Sequence, residues 1–191
     1  RGWSWINQYQ LTPLSWLLLW AIGLTLCLSA VFYYFYAQTI LSFRAVPISN
    51  YTIENRRAAA TSVSISSAAI ELPITAGEIK DGIWQVANDT ATHLRSSANP
   101  GEMGNIVIYG HNKRQIFGGL HTVKVGDIVT LSTSEGQVIQ YEVKDISVVE
   151  PSEITTVLPT EYEVVTIYTC TGFFDSQRLV IKAFPLTVNA T

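Results

Sequence analysis

The chain is predicted to fold as an all-β domain, a barrel or sandwich, preceded by one transmembrane helix. Three observations predict this. From about residue 70 onward, short runs rich in Val, Ile, Thr and Tyr alternate with Gly- and Pro-bearing turns, and few windows show helical periodicity. Upstream, no Lys, Arg, Asp or Glu occurs between Gly2 and Phe43. The whole chain has 191 residues, a net charge of −3 and only 14% charged residues. The apolar excess is thus concentrated at the N-terminal end, and no basic field points to nucleic acid.

The first element is the uncharged stretch. Leu14 to Ala37 is interrupted only by Ser15, Gly23, Thr25 and Ser29. About 20 apolar residues cross a bilayer as a helix, whereas the apolar core of a signal peptide is shorter. Trp16 and Trp20 at one end, and Tyr33, Tyr34 and Tyr36 at the other, suit the two interfaces. Residues 1–43 are therefore expected to form a membrane anchor that spans at about 14–37. Arg44, Arg56 and Arg57 follow the span and only Arg1 precedes it, so a bare charge count would put the C-terminal part in the cytoplasm.

Residues 44–69 are rich in Ser, Thr, Asn and Ala and are expected to be a linker, with Ala58-Ala59-Ala60 as a helical possibility. Residues 70–188 are expected to be the folded domain. Asn105 to Tyr109 is a buried strand entered from Pro100-Gly101. Asp127 to Ser132 follows a Val125-Gly126 turn and pairs with Gln137 to Val143 across Glu135-Gly136, as a hairpin. Ile146 to Val149, Val164 to Tyr168 and Leu179 to Phe184 complete the set.

Chemistry concentrates at the ends of these strands. Cys170 closes an apolar, β-branched run, and the only other cysteine, Cys27, lies inside the hydrophobic stretch. A lone thiol at a strand end is a candidate nucleophile. Arg178 opens the next strand; a nearby cation favours the thiolate, and a guanidinium fork also suits an oxyanion. His111 comes just after the Asn105–Tyr109 strand, where a side chain leaves the core and faces a groove. His93 and His121 have weaker contexts, and His121 reads as a surface residue in a turn-helix segment. One Cys and one His without a second pair make no zinc signature. Each residue also has a plain reading: Cys170 as a small core hydrophobe, Arg178 as a strand cap, His111 as structural.

In order, these pieces resemble the sortases, membrane-anchored cysteine transpeptidases of mainly Gram-positive bacteria. The segment Pro100-Gly101-Glu102-Met103-Gly104-Asn105-Ile106-Val107-Ile108-Tyr109-Gly110-His111 is similar to the stretch that leads into the family's catalytic histidine. Phe117 to Asp127 resembles the family's next stretch, Thr166-Ile167-Tyr168-Thr169-Cys170 resembles its Thr-Leu-x-Thr-Cys, and Arg178-Leu179-Val180-Ile181 resembles its Arg-leading final strand. Ile167 stands where leucine is usual, and Ile79 to His93 fits the pattern poorly.

The resemblance implies a closed sortase-type β-barrel of about eight strands with short helices. It implies that Cys170 is the nucleophile, His111 the acid–base, Arg178 the oxyanion or peptide-backbone ligand, and Thr169 a substrate contact through its backbone or hydroxyl. Implied partners are secreted proteins bearing an Leu-Pro-x-Thr-Gly-like signal, an amine from a peptidoglycan precursor or a pilin lysine, and the lipid bilayer. No cofactor is implied and no acidic calcium cluster is evident. The location implied is a single-pass membrane protein with its catalytic domain on the extracellular face, which overrides the charge count. Two other readings stay open on the sequence. One is a different wall-directed cysteine hydrolase or an L,D-transpeptidase, whose Ser-His-Gly-Cys arrangement is missing from this sequence. The other is a non-catalytic, membrane-tethered β-domain. Leu72-Pro73-Ile74-Thr75-Ala76 itself looks like a sorting signal, but the resemblance implies that Leu72-Pro73-Ile74 is the family's first strand, with proline at a strand edge.

Overall fold

A computed structural model describes residues 13–41 and 58–186. The anchor expected over residues 1–43 and the linker expected over 44–69 thus fall partly outside the described residues.

The helix α1 runs from Pro13–Leu41, with proline in its first turn, where a missing N–H costs nothing. Ser15–Tyr36 within it has a mean hydropathy of 2.0, long and apolar enough to cross a membrane. At 1.5 Å per residue, those 22 residues extend about 33 Å. Two hydroxyls within the span are satisfied by the helix itself: Thr25 donates to the Ile22 carbonyl at 2.8 Å and Ser29 to that of Leu26 at 2.9 Å. Internal satisfaction of polar groups is what a lipid environment demands.

The second unit is built from ten strands: β1 (Ala60–Ile65), β2 (Ile70–Gly77), β3 (Ile79–Lys80), β4 (Ile83–Trp84), β5 (Ala91–Leu94), β6 (Asn105–Gly110), β7 (Ile128–Thr133), β8 (Val138–Val149), β9 (Val164–Thr171) and β10 (Gln177–Pro185). Eight of them close a barrel in the order β1-β2-β5-β6-β9-β10-β8-β7, and β3 pairs with β4 alone. The pairs β2–β5 and β6–β9 are parallel and the others antiparallel.

The expected all-β closed barrel is the observed one. The expected linker is not: residues 60–69 form β1 and a 3-10 turn over Ser66–Ala68, so Ala60 opens a strand, not a helix. Val63 and Ile65 enter the core while Thr61, Ser62 and Ser64 stay outside it. A true alternation is hidden there by its Ser/Thr composition. Leu72-Pro73-Ile74 therefore lies in the second strand, not the first. Pro73 ends the β1 register and Ile74 starts the β5 register, so the residue without an N–H sits where β2 changes partner. Held in the barrel wall, Leu72–Ala76 is a strand segment and not a presented signal. The expected hairpin is present, but its second arm runs unbroken through Ile146–Val149 as β8, past a register shift opposite Lys182/Ala183.

Burial explains which strands alternate. β7 faces the core on one side only, and its side chains alternate in burial. β6 is buried at every position, and β9 from Val164 through Cys170. Such strands read as unbroken apolar runs because both faces are covered. Their inward side chains, Ile106, Ile108, Val165 and Ile167, join the barrel core with Leu179, Ile181 and Ala183 of β10. Their outward side chains, Val107, Tyr109, Tyr168 and Cys170, form a second cluster with Val180, Leu94, Val157 and Trp84. The β3–β4 hairpin delivers Trp84, whose ring meets that of Tyr109 edge-on at 4.7 Å and stacks on Tyr168 at 6.0 Å.

At the end of β6, Gly110 permits a close approach. A methyl group there would lie 3.0–3.2 Å from Phe117 and Ile116, whose side chains fill the barrel core. Gly110→Ala is expected to destabilise the domain by roughly 1–3 kcal/mol through overpacking. Urea unfolding followed by near-ultraviolet circular dichroism measures this, and an unchanged midpoint contradicts it.

Candidate active site

The site forms where three neighbouring strands present their outward faces together. In the parallel β6–β9 register, Tyr109 stands opposite Tyr168 and Gly110 opposite Thr169. The next positions along that register are His111 and Cys170. In the antiparallel β9–β10 register, Cys170 stands opposite Arg178. Side chains alternate along a strand. Hence Tyr168 and Cys170 share a face on β9 and Arg178 and Val180 share it on β10, while His111 follows directly on the last residue of β6. The structure thus brings His111, Cys170 and Arg178 to one patch from sequence positions up to 67 residues apart (178 − 111).

Thr169 points the other way. It is buried at 1% exposure, and its hydroxyl donates to the Gly110 carbonyl at 2.8 Å. That bond ties the last residue of β6 to the residue before Cys170. The hydroxyl, expected as a substrate contact, thus has its partner within the barrel wall.

Arg178 is 1% exposed. Its Nη1 donates to the carbonyls of Asp175 at 2.8 Å and Gln177 at 2.9 Å, and its guanidinium also hydrogen-bonds the Tyr168 side chain. Burial is the larger influence on the Tyr168 phenol and leaves it pushed up to about 12, although Arg178 works against that rise. Tyr168 is thus a neutral phenol at physiological pH. Tyr109, raised by burial, donates its hydroxyl to the Gln85 carbonyl at 2.6 Å. The aromatic layer of Trp84, Tyr109 and Tyr168 supports the patch from beneath.

Cys170 is 6% exposed. Burial raises its thiol above the ordinary value; Arg178 opposes the rise, and the Asp175 carboxylate adds to it. His111 is half-buried. Burial lowers its imidazole first, Lys113 lowers it further, and Asp175 pulls it back up. At neutral pH the raised thiol and the lowered imidazole are therefore both in their neutral forms.

The other histidines lie elsewhere. His93 is buried, with Nε2 at 2.9 Å from the Ala98 carbonyl and 3.2 Å from Ser97 Oγ, a structural role. His121 is exposed in the 3-10 turn Leu120–Thr122, as expected. Among the described residues, no three His, Cys, Asp or Glu side chains gather as a metal site.

Sequence reasoning missed four residues that shape this site. Tyr109 and Tyr168 each stand two positions before a site residue, and strand alternation alone could have assigned them to its face. Trp84 lies in a segment that matches no pattern. Asp175 sits in a polar loop and gives no signal in one dimension.

Comparison with known proteins gives the family and the fold. The Sortase domain family model matches residues 63–186. The chain belongs to the sortase family, a family of cysteine transpeptidases. It is similar to sortase A from Corynebacterium diphtheriae, at 29% identity and a TM-score of 0.58, over 72% of this chain and 64% of that one. It is also similar to sortase C from Streptococcus pneumoniae, at 26% identity and a TM-score of 0.59, over 78% of this chain and 80% of that one. SortaseC1 from Streptococcus suis matches at 25% identity and a TM-score of 0.59, over 69% of this chain and 74% of that one. The chain spans about 64% of the length of the Corynebacterium structure. No curated protein sequence matches the chain.

The electrostatics predict how the thiol reacts. Alkylation of Cys170 by iodoacetamide, with peptide mapping that separates it from Cys27, should have its midpoint above the ordinary thiol value. The rate should therefore still be climbing at pH ~9. A midpoint at or below neutrality would mean a preformed thiolate and contradict the effect of burial.

Proposed function

We propose that this chain is a sortase-type transpeptidase that cleaves a C-terminal sorting signal and transfers the freed acyl group to an amine. The observation that supports the reading is that Cys170 stands opposite Arg178 in the β9–β10 register, while His111 follows directly on Gly110, the β6 partner of the residue before Cys170. The sulfur of Cys170 attacks the carbonyl of a threonine-like residue in an Leu-Pro-x-Thr-Gly-type signal. His111 takes the thiol proton as a C–S bond forms, and it passes that proton to the departing amine as the C–N bond to the next residue breaks. In the second half the incoming amine attacks the thioester, His111 takes its proton, and the leaving sulfur recovers that proton as the thiol. Arg178 stabilises the oxyanion or holds the signal's backbone. Its Nη1, already ordered by two main-chain carbonyls, supports that role.

The amine is expected to come from a peptidoglycan precursor or a pilin lysine, and the acyl donor from a secreted protein. Helix α1 would hold the enzyme in the membrane, single-pass, with the barrel on the extracellular face. Membership in the sortase family favours this orientation over the bare charge count.

The pH dependence follows from the two shifts. Turnover needs one proton shared between Cys170 and His111. Activity is therefore lost as pH falls through the lowered His111 value, where both groups are protonated. It is lost again as pH rises through the raised Cys170 value, where neither is. The plateau for kcat/KM is broad, and a narrow bell with its acidic limb above neutrality contradicts the pairing.

The variants test the roles directly. With the full-length chain in detergent, a fluorogenic sorting peptide and added amine, Cys170→Ala should fall to the uncatalysed background while its circular dichroism stays unchanged. Substantial residual turnover removes Cys170 as nucleophile. Arg178→Lys lacks the planar fork and should lose on the order of 100-fold in kcat/KM. Kinetics like those of the wild type would take Arg178 out of the mechanism.

A further inference from the structure

Residues 150–163 carry the chain from β8 to β9, which are not neighbours in the barrel because β10 lies between them. The connection has one regular element, the 3-10 turn Thr155–Val157. Two of its apolar side chains reach the outward face beside the site. Val157 joins the cluster of Val107, Tyr109, Tyr168 and Cys170, and Ile154 packs against that cluster. Long connections of this kind carry function more often than short ones do.

The polar attachment comes from the first residue of β6. Ile106 and Ile108 face the barrel core, so Asn105 shares the outward face with Val107 and Tyr109. The Asn105 amide donates through Nδ2 to the Thr156 carbonyl at 3.1 Å and to the Leu158 carbonyl at 3.0 Å. Both partners can only accept, which fixes the end of the amide that faces them. They flank Val157, so one amide brackets the residue that enters the cluster. Among the described residues, every other hydrogen bond made by residues 151–160 stays within the connection. Asn105 is 3% exposed, and its Oδ1 is buried without a partner. A buried acceptor left unpaired lowers stability. An apolar side chain of similar size would avoid that loss, so what the amide supplies here is its two donors.

We propose that Asn105 is a positioning residue: its amide clamps the β8–β9 connection onto the outward face of β6, so that Ile154 and Val157 stand as a preformed apolar wall for the acyl side of the sorting signal. The clamp touches no reacting atom and acts on binding. A wall that is in place only part of the time weakens apparent affinity by that fraction, while the chemistry at Cys170 is unchanged once the peptide is seated. The role toward the peptide rests on the function proposed above; the clamp itself does not.

Asn105→Leu keeps the volume and removes both donors together with the unpaired acceptor. The connection contains Glu153 and Glu161, so the glutamate-specific protease Glu-C reads its release, while Glu71 in β2 and Glu142 in β8 report on the barrel. With the full-length chain in mild detergent, losing two hydrogen bonds should speed cutting after Glu153 and Glu161 by about 30-fold and leave Glu71 and Glu142 as in the wild type. The same variant should raise KM for the sorting peptide about three-fold, with kcat held. Should Asn105→Leu lose its native near-ultraviolet circular dichroism, Asn105→Ser, with one donor in place of two, must show the same selective cutting. Cutting after Glu153 and Glu161 that matches the wild type, or that rises equally at all four sites, overturns the clamp. Selective cutting with an unchanged KM overturns the wall. A peptide left uncleaved by the wild type would instead count against the proposed function, and the protease rates would still decide the clamp.

Discussion

The parallel pairing of β6 with β9 is the constraint on which the site depends. Two parallel strands cannot be joined by a hairpin, so their ends meet only because the barrel closes around them. Gly110 opposite Thr169 is the last pair in the register, and the Thr169 hydroxyl locks it to the Gly110 carbonyl at 2.8 Å. One residue further on stand Cys170, on the outward face of β9, and His111, in the segment that follows β6. Antiparallel β10 then adds Arg178 directly opposite Cys170. A slip of one residue in either pairing would turn one partner into the barrel core. The register is hard to slip, because the inward set of Ile106, Ile108, Val165 and Ile167 is fully buried.

The second apolar cluster converts this geometry into electrostatics. Trp84, Tyr109, Tyr168 and Val180 cover the outward face beneath the site, so Cys170 and Arg178 sit almost out of water. A buried thiol is held in its neutral form, and a half-buried imidazole likewise. The charge on buried Arg178 therefore acts with little screening, whereas Lys113 is exposed to water. Arg178 is itself tied down by carbonyls on either side of Ser176 and by Tyr168, so the one cation facing the sulfur has a fixed place.

Much of this is legible in the sequence, and the rest is lost for identifiable physical reasons. The hairpin of β7 and β8 is readable because its arms alternate and glycine marks its turns. The buried strands β6 and β9 are readable as unbroken apolar runs. Cys170, His111 and Arg178 stand out because each sits at a strand end, where a polar group has a reason to be. β1 is hidden because Ser and Thr occupy its outward positions and look like tether composition. β5 is hidden because a four-residue strand reading Ala-Thr-His-Leu has no period to show. The inward direction of Thr169 could be counted, two residues on from Ile167, only once Ile167 was known to face the core. Asp175 is beyond reach, since its effect depends on a turn conformation that no local pattern announces.

The proposed acyl carrier is Cys170, which stands opposite Arg178 in the β9–β10 register. Intact-mass analysis of the full-length chain, quenched in acid during turnover of an Leu-Pro-x-Thr-Gly peptide without added amine, tests it most directly. The account predicts an adduct equal to the peptide's N-terminal fragment through threonine, mapped to Cys170 and discharged by hydroxylamine. An adduct on Cys27 or on no cysteine, while the peptide is still being cleaved, would contradict it.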